Sequence, residues 1–308
     1  MNVRRRAAVA LTAVAIDLAV GDAPNRWHPV AWFGSAVNAL APRLPRGGFR
    51  RDLGSGLALA TAGSGGALLA GRALAGAVCR LPAPLAFAAE AVALKQAISA
   101  RGLARHALAV AAPLGAGDLP GARAAVSMLV SRDVSALDEA AIASAAIESA
   151  AENASDSVIA PLAWYLAGGL PLAWAYRASN TLDAMVGYRK HGIFGSPAAR
   201  TDDVLNLVPA WLTAAVVAFV SADPAAAWEG ARRDAGHTPS PNSGWPMAAA
   251  AHGLGLRLEK PGVHILNEEG RPPETGDIRA AVTLLARGLA VIAFALALVA
   301  AVPWRRSP

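Results

Sequence analysis

Residues 53–79 and 280–304 are two apolar runs, each long enough to cross a bilayer, which takes about 20 apolar residues. That length constrains the fold more than any other feature. Backbone inside hydrocarbon must satisfy its own hydrogen bonds, so only helices or a closed barrel qualify. No strand-period alternation accompanies these runs, which leaves helices. Composition agrees, with 55% hydrophobic and 16% charged residues, against about 25% charge in a typical soluble domain. Trp outnumbers the other aromatics, eight against six Phe and three Tyr. Trp32, Trp211 and Trp304 sit at ends of apolar runs, where interfacial rings belong.

The reading is an all-α, polytopic integral membrane protein with re-entrant or broken helices and cytoplasmic helical loops, forming a single membrane-embedded domain over residues 1–308. In the first run Gly63, Ala67 and Gly71 have the small-xxx-small spacing of close helix packing. A third segment, 204–222, has about the right length but contains Asn206 and Pro209. Residues 7–41 read as two short apolar segments, the first holding Asp17, and arginines flank the pair on both outer sides. Residues 158–176 are interrupted by "GGLP" at 168–171, which predicts a broken helix. Residues 84–157 read as a mostly polar helical region, with a helix over 84–111 made amphipathic by Glu90 and Lys95. Asp118 is expected to cap a helix opening at Pro120, and "SALD" at 135–138 to start another as a capping box. Residues 223–279 read as a polar loop.

The net charge of +6 comes mostly from arginine, in clusters at 4–6, 43–51 and 305–306. Beside apolar runs these mark cytoplasmic ends under the positive-inside rule. They form no basic stripe interleaved with aromatics, so nucleic acid is not an expected partner. The single cysteine, Cys79, excludes an intrachain disulfide and a cysteine-rich metal site.

Polar clusters border the apolar segments. Glu148, Glu152 and Asp156 stand four apart in "IESAAENASDSVIAP", on one helical face. Three like charges there repel by roughly 0.2–0.5 kcal/mol per adjacent pair, so something should compensate them. Asn180 and Asp183 share a face in "YRASNTLDAMVGYRKHGIFG", and "ARTDDVLNLVPAW" carries Asp202, Asp203 and Asn206. "GDAPNRWHPVAWFG" follows Asp17, and "TPSPNSGWP" at 238–246 reads as a loop with Asn242 and Ser243. Each acid taken alone is more often a cap or a solvated group. Ionisable residues abutting membrane segments are costly, however, and together they point to a site. Carboxylates and amide oxygens without thiols suit a hard cation such as Mg²⁺. Arg177, Arg189, Lys190 and Arg200 beside them suit phosphate. No GxxxxGK[ST] loop is present, which argues against a P-loop nucleotide site.

These segments, "IESAAENASDSVIAPL", "YRASNTLDAMVGYR", "ARTDDVLNLVPA" and "SPN", strongly resemble the CobD/CbiB family of cobalamin biosynthesis, the adenosylcobinamide-phosphate synthases. The likeness runs in order from about residue 16 to 262, and because it begins at Asp17 the signal-like N-terminus is expected to stay uncleaved. Where the family pattern commonly has Pro after GD, this chain has Ala23; where it has Arg after HPV and in "PAR", it has Ala31 and Trp211. Phosphate roles at those two positions therefore do not carry over.

The resemblance implies an enzyme of the cytoplasmic (inner) membrane. It would join adenosylcobyric acid to (R)-1-aminopropan-2-ol O-phosphate, or to the free aminopropanol, by ATP-dependent amide formation. Mg²⁺ and ATP are the implied cofactor and cosubstrate, the corrinoid and amine the substrates, and other membrane-bound late cobalamin enzymes possible associates. Catalytic candidates are Glu148, Glu152, Asn153, Asp156, Asn180, Asp183 and His28. Arg177, Arg189, Lys190, Arg200 and Asn242 are candidates for substrate and phosphate. Glu152, Asp156, Asp183, Asp202 and Asp203 are candidates for the metal. Two rivals stand beside this: a non-enzymatic membrane sensor of related architecture, which needs no ATP site, and a small transporter using the acids as relays.

Overall fold

The computed structural model describes residues 3–302, without the side chain of Arg189; Trp304, Arg305 and Arg306 lie outside them. The described chain is almost entirely helical. In order come α1 (Val3–Val20), α2 (Pro29–Leu40), α3 (Phe49–Val78), α4 (Ala83–Lys95), α5 (Ala100–Gly115), α6 (Leu119–Val126) and α7 (Glu139–Ala154). A π-helical turn, Ser155–Ile159, leads into α8 (Ala160–Gly168) and α9 (Leu170–Val186). Then follow α10 (Ser196–Phe219), α11 (Pro224–Asp234), α12 (Gly244–Leu254), a hairpin of β1 (Leu258–Lys260) with β2 (His264–Leu266), and α13 (Thr275–Ala301). Three helices, α3, α10 and α13, are long and apolar enough to cross a membrane. Large apolar side chains such as Leu69 on α3, Val208 on α10 and Phe294 on α13 are exposed, as lipid-facing residues would be.

The chain divides into two compact units. Unit 1 comprises residues 1–99, 160–205 and 293–308. Its main packing is α3 on α9, with α1 on α4 and α8 on α9. Glycines permit the first contact: a Cβ on Gly71 would press on the Leu170 carbonyl and Pro171, and one on Gly63 on Leu182. The small-residue spacing in α3 therefore serves helix packing, as the sequence suggests. The break at "GGLP" also appears: α8 ends at Gly168, and Gly169 takes φ 73°, a conformation that favours glycine. Arg6 donates from Nη1 to the Leu166 and Ala167 carbonyls at 2.8 and 2.9 Å, satisfying the end of α8.

Unit 2 comprises residues 100–159 and 206–292. Its core joins α5, α6, α7, α12 and the hairpin, with Ile142, Ile147, Leu256, Leu258 and Leu266 fully buried. Alanines on α7 and α12, including Ala143, Ala146, Ala248 and Ala251, let these helices approach closely. Asp156 lies in the π turn just ahead of Pro161. Proline lacks an N–H and clashes with the carbonyl four residues back, so a wider turn there relieves both problems.

Several expectations need correction. The helix expected over 84–111 is two helices, separated at residues 96–99. Glu90 and Lys95 do not form a wet face. They are 5% and 3% exposed, Glu90 bound by Arg5 and Tyr165, Lys95 by Asp17 and Asp22. Residues 223–279 are not a loop, since α11, α12 and the hairpin occupy most of them. Asp118 caps α6 through the Gly121 N–H as expected. In "SALD" the cap is Asp138, accepting from the Ala141 N–H, while the Ser135 N–H turns to Asp133.

Candidate active site

In unit 1, Arg177, Asn180 and Asp183 recur every third residue of α9 and so share one face. Arg177 Nη1 donates to Asn180 Oδ1 at 3.3 Å, and Asn180 Nδ2 donates to Asp202 Oδ1, also at 3.3 Å. Asp202 is buried; Asp203, next to it, is half-buried and meets Arg200 at 3.5 Å. Asp183 stands in the last turn of α9, where the helix dipole disfavours a negative charge. Burial, and then the charge of Asp203, raise its carboxyl to about 6. Gly187 makes room for it: a Cβ there would collide with Asp183 Oδ1. Lys190, exposed, lies over the Tyr188 ring at 5.5 Å. The side chain of Arg189 lies outside the described residues.

The same unit holds a second polar knot. Lys95 Nζ is 2.9 Å from Asp22 Oδ1 and 3.5 Å from Asp17 Oδ1, and Ser99 Oγ donates to Asp22 Oδ2 at 2.5 Å. His28 Nε2 stands 4.0 Å from Asp22 Oδ1. His28 Nδ1 accepts from the Val30 N–H and caps α2. Burial lowers its pKa, Asp22 opposing and Lys95 and Arg177 assisting, so the imidazole is neutral at neutral pH. Burial alone would raise Asp22, but the bonds from Ser99 and Lys95 outweigh it and the net shift is downward.

In unit 2 the acidic stripe separates into different environments. Glu148 is buried: its Oε1 accepts from His264 Nε2 at 2.8 Å, and Arg132 Nη2 stands 3.9 Å from its Oε2. These are the compensating groups that the repulsive spacing calls for. Glu152 and Asp156 are half-buried. Asn153 turns its amide back to the Ser149 carbonyl at 2.9 Å. Asn242 is buried ahead of α12, its N–H donating to Ser240 Oγ. A further knot is centred on Asp234, which accepts from His252 Nε2 at 2.7 Å, the Asn267 N–H at 2.8 Å and Arg233 Nε at 3.0 Å. Burial would raise Asp234, but those bonds outweigh it and its pKa is lowered. Sequence reasoning missed Arg132, Asp234, His252 and His264. Each lies outside the recognisable stripes, and His264 is 116 positions from Glu148.

Among the described residues, no three of His, Cys, Asp and Glu converge as a ready-made metal cage. The donors in unit 1 nevertheless fit Mg²⁺. They are all oxygen, and Asp183 and Asp203 repel each other across a partly buried gap that a cation would relieve. Mg²⁺ is commonly held by one or two carboxylates with phosphate oxygens and water completing its shell.

The profile of the CobD/Cbib protein family matches residues 10–285. The chain belongs to the CobD/CbiB family. Cobalamin biosynthesis protein CobD of Rhodobacter capsulatus is 39% identical over 312 residues, covering 96% of this chain and 97% of its own. The protein of Rhizobium meliloti with the same name is 39% identical, covering 94% and 95%. The probable cobalamin biosynthesis protein CobD of Methanothermobacter thermautotrophicus is 41% identical, covering 84% and 86%. No solved structure matches. The four motifs from which the family is legible lie inside the matched span, and membership makes this CobD/CbiB chain a cobalamin biosynthesis protein with membrane-type helices.

Proposed function

We propose that this chain is the ligase that joins adenosylcobyric acid to (R)-1-aminopropan-2-ol O-phosphate, using ATP, at the cytoplasmic membrane. A carboxylate is a poor electrophile and needs activation before an amine can attack it. Its oxygen would displace ADP from the γ-phosphoryl group of ATP, giving an acyl phosphate. The neutral amine would then attack the acyl carbon, expelling phosphate and losing a proton.

The observation that carries this reading is the pairing of Asp183 with Asp203 beside the Arg177–Asn180–Asp202 chain. Two carboxylates held in repulsion next to a guanidinium suit a phosphate–cation complex, whose charges would neutralise both. Asp183 and Asp203 would hold Mg²⁺, which would neutralise charge building on the phosphate oxygens. Arg177, Lys190 and Arg200 would clamp the phosphoryl groups. Asn180 positions Arg177 and Asp202 through its two hydrogen bonds, and Glu152 and Asp156 are candidates to add negative charge in unit 2.

The test is a mass measurement. Purified protein incubated with adenosylcobyric acid, aminopropanol phosphate and Mg-ATP should yield the amide and ADP in equal amounts. Substrate flux in liposomes without a covalent product would make the protein a transporter. Neither flux nor product would favour the sensor.

A further inference from the structure

We propose that the groove between α2 and α3 in unit 1 holds one acyl chain of a membrane phospholipid, with the headgroup beside Gln96. The groove is a cavity of about 380 Å³, lined by Phe33, Ala36 and Leu40 of α2 and by Ala62, Gly66 and Ala70 of α3. Gly63 and Gly71 spend their small size on α9, but the adjacent stripe of Ala62, Gly66 and Ala70 is exposed. A Cβ on Gly66 would meet nothing within 4 Å, and Ala36 and Leu40 are exposed as well. Because α3 is long and apolar enough to cross a membrane, the medium beside that stripe is hydrocarbon. The lining residues span 29–40 on α2 and 59–70 on α3, about 17 Å of helix in each. That is close to one leaflet's share of a hydrocarbon core about 30 Å thick. Spread over that length, the volume leaves a mean cross-section of about 22 Å², too slender for a helix about 10–12 Å across and suited to a single polymethylene chain.

The few polar side chains in the lining place the headgroup. Thr181 turns its hydroxyl to the Arg177 carbonyl at 2.7 Å, and Arg177 turns to Asn180. Gln96 differs: its Oε1 is buried and, among the described residues, accepts no hydrogen bond. A lipid hydroxyl is the donor it lacks. Gln96 follows Lys95, which is bound to Asp22, and Pro29 follows His28, which also faces Asp22. This end of the groove therefore adjoins the loop over 21–28. Trp27 is exposed there, with Arg26 over its ring at 5.9 Å, a pairing that belongs at the level of lipid headgroups. Val37, Leu40 and Leu59, towards the other end, are apolar. A groove with one polar end has the shape of an amphiphile.

Native mass spectrometry of the full-length protein tests this, after purification in detergent and equilibration with phosphatidylglycerol. Phosphatidylcholine, whose headgroup has no hydroxyl donor, is the second probe. The wild type should hold one phosphatidylglycerol per chain and prefer it several-fold to phosphatidylcholine. Gly66→Leu, which fills the groove with no clash at Cβ, should weaken retention about tenfold or more, and Ala36→Leu should do the same from α2. Gly65→Leu, also open at Cβ but outside the lining, should retain lipid as the wild type does. Gln96→Leu should bind the two lipids equally. Wild-type retention in both Gly66→Leu and Ala36→Leu, an equal loss in Gly65→Leu, or no lipid on the wild type overturns the site. An unchanged preference in Gln96→Leu overturns the headgroup placement. A wild-type dimer that Gly66→Leu makes monomeric would turn the groove into a contact between copies and overturn the lipid reading.

Discussion

Buried acids in the two units are held on opposite terms at Glu148 and Asp234 on one side and at Asp183 on the other. In unit 2, Glu148 and Asp234 are almost fully enclosed, and each is met by a histidine and a cationic or backbone donor. In unit 1, Asp183 is less buried, yet its charge is opposed by Asp203 and its pKa rises to about 6. Burial alone therefore does not set the charge state of an acid. What sets it is whether the fold supplies a counter-charge, as it does for Glu148 and Asp234, or a like charge, as it does for Asp183.

The largest expected effect follows directly. Asp183→Asn should reduce kcat of amide formation by about a thousandfold, in line with removing one electrostatic stabiliser of a developing charge. The same change should stabilise the folded protein by about 1 kcal/mol, discounted for partial exposure, because it removes a charge that the apo fold holds at a cost. Activity and thermal unfolding measured on one preparation check both halves. Loss of stability together with activity would place Asp183 among the structural acids.

Glu148→Ala should behave oppositely. Removing this carboxylate leaves His264 and the buried guanidinium of Arg132 without their counter-charge. About 3 kcal/mol of stability should be lost. Unfolding of Glu148→Gln, which keeps the shape and one acceptor, should fall between the two. A fully stable Glu148→Ala protein would show that the triad is not what holds α7 to the hairpin.

The same contrast has a pH signature of opposite sign. Asp183, raised from 3.8 to about 6, binds its proton more tightly when folded. Its contribution to stability is greatest below the unfolded value and declines as pH rises from about 4 through 6. Asp234 is lowered, so its contribution is present above the unfolded value of 3.8 and disappears as pH falls through its folded value. Stability curves of Asp183→Asn and Asp234→Asn against pH should therefore differ from wild type in different windows, the first near pH 4–6 and the second below about 4. Mg²⁺-supported activity should fall on acidification through about 6, as protons compete for Asp183.

How much of this was legible in the sequence depends on reach. The long apolar helices α3 and α13, the packing glycines and the break at Gly168–Gly169 follow from local pattern and appear in the structure. So does the shared face of Asn180 and Asp183, which periodicity dictates. Glu90 and Lys95 misled, because charged residues in a helix suggest water until a partner from another helix is known. Arg5 and Tyr165 lie 85 and 75 positions from Glu90. The repulsive stripe at Glu148 announced that a cation was missing but gave no indication of which one. Residues 223–279 looked like a loop because Gly, Pro and charges dominate, whereas α11, α12 and the hairpin obtain their order from the alanine core and the Asp234 knot.

The smallest predicted effect sharpens the comparison most. Gly187 has φ −71°, ordinary for any residue, so Gly187→Ala carries no backbone strain. Its added methyl would instead collide with Asp183 Oδ1. The carboxylate must swing away and the Asp183 carbonyl, also closer than contact distance, must give slightly, at a cost to stability of about 1 kcal/mol. If position rather than mere presence of this acid matters, the KM for Mg-ATP should rise several-fold and the acidic limb of the activity profile should shift with it, since Asp183 would leave the field of Asp203. An unchanged KM and profile would mean that the carboxylate acts from wherever it can reach, and the helix-end placement that distinguishes it from Glu148 would lose its functional meaning.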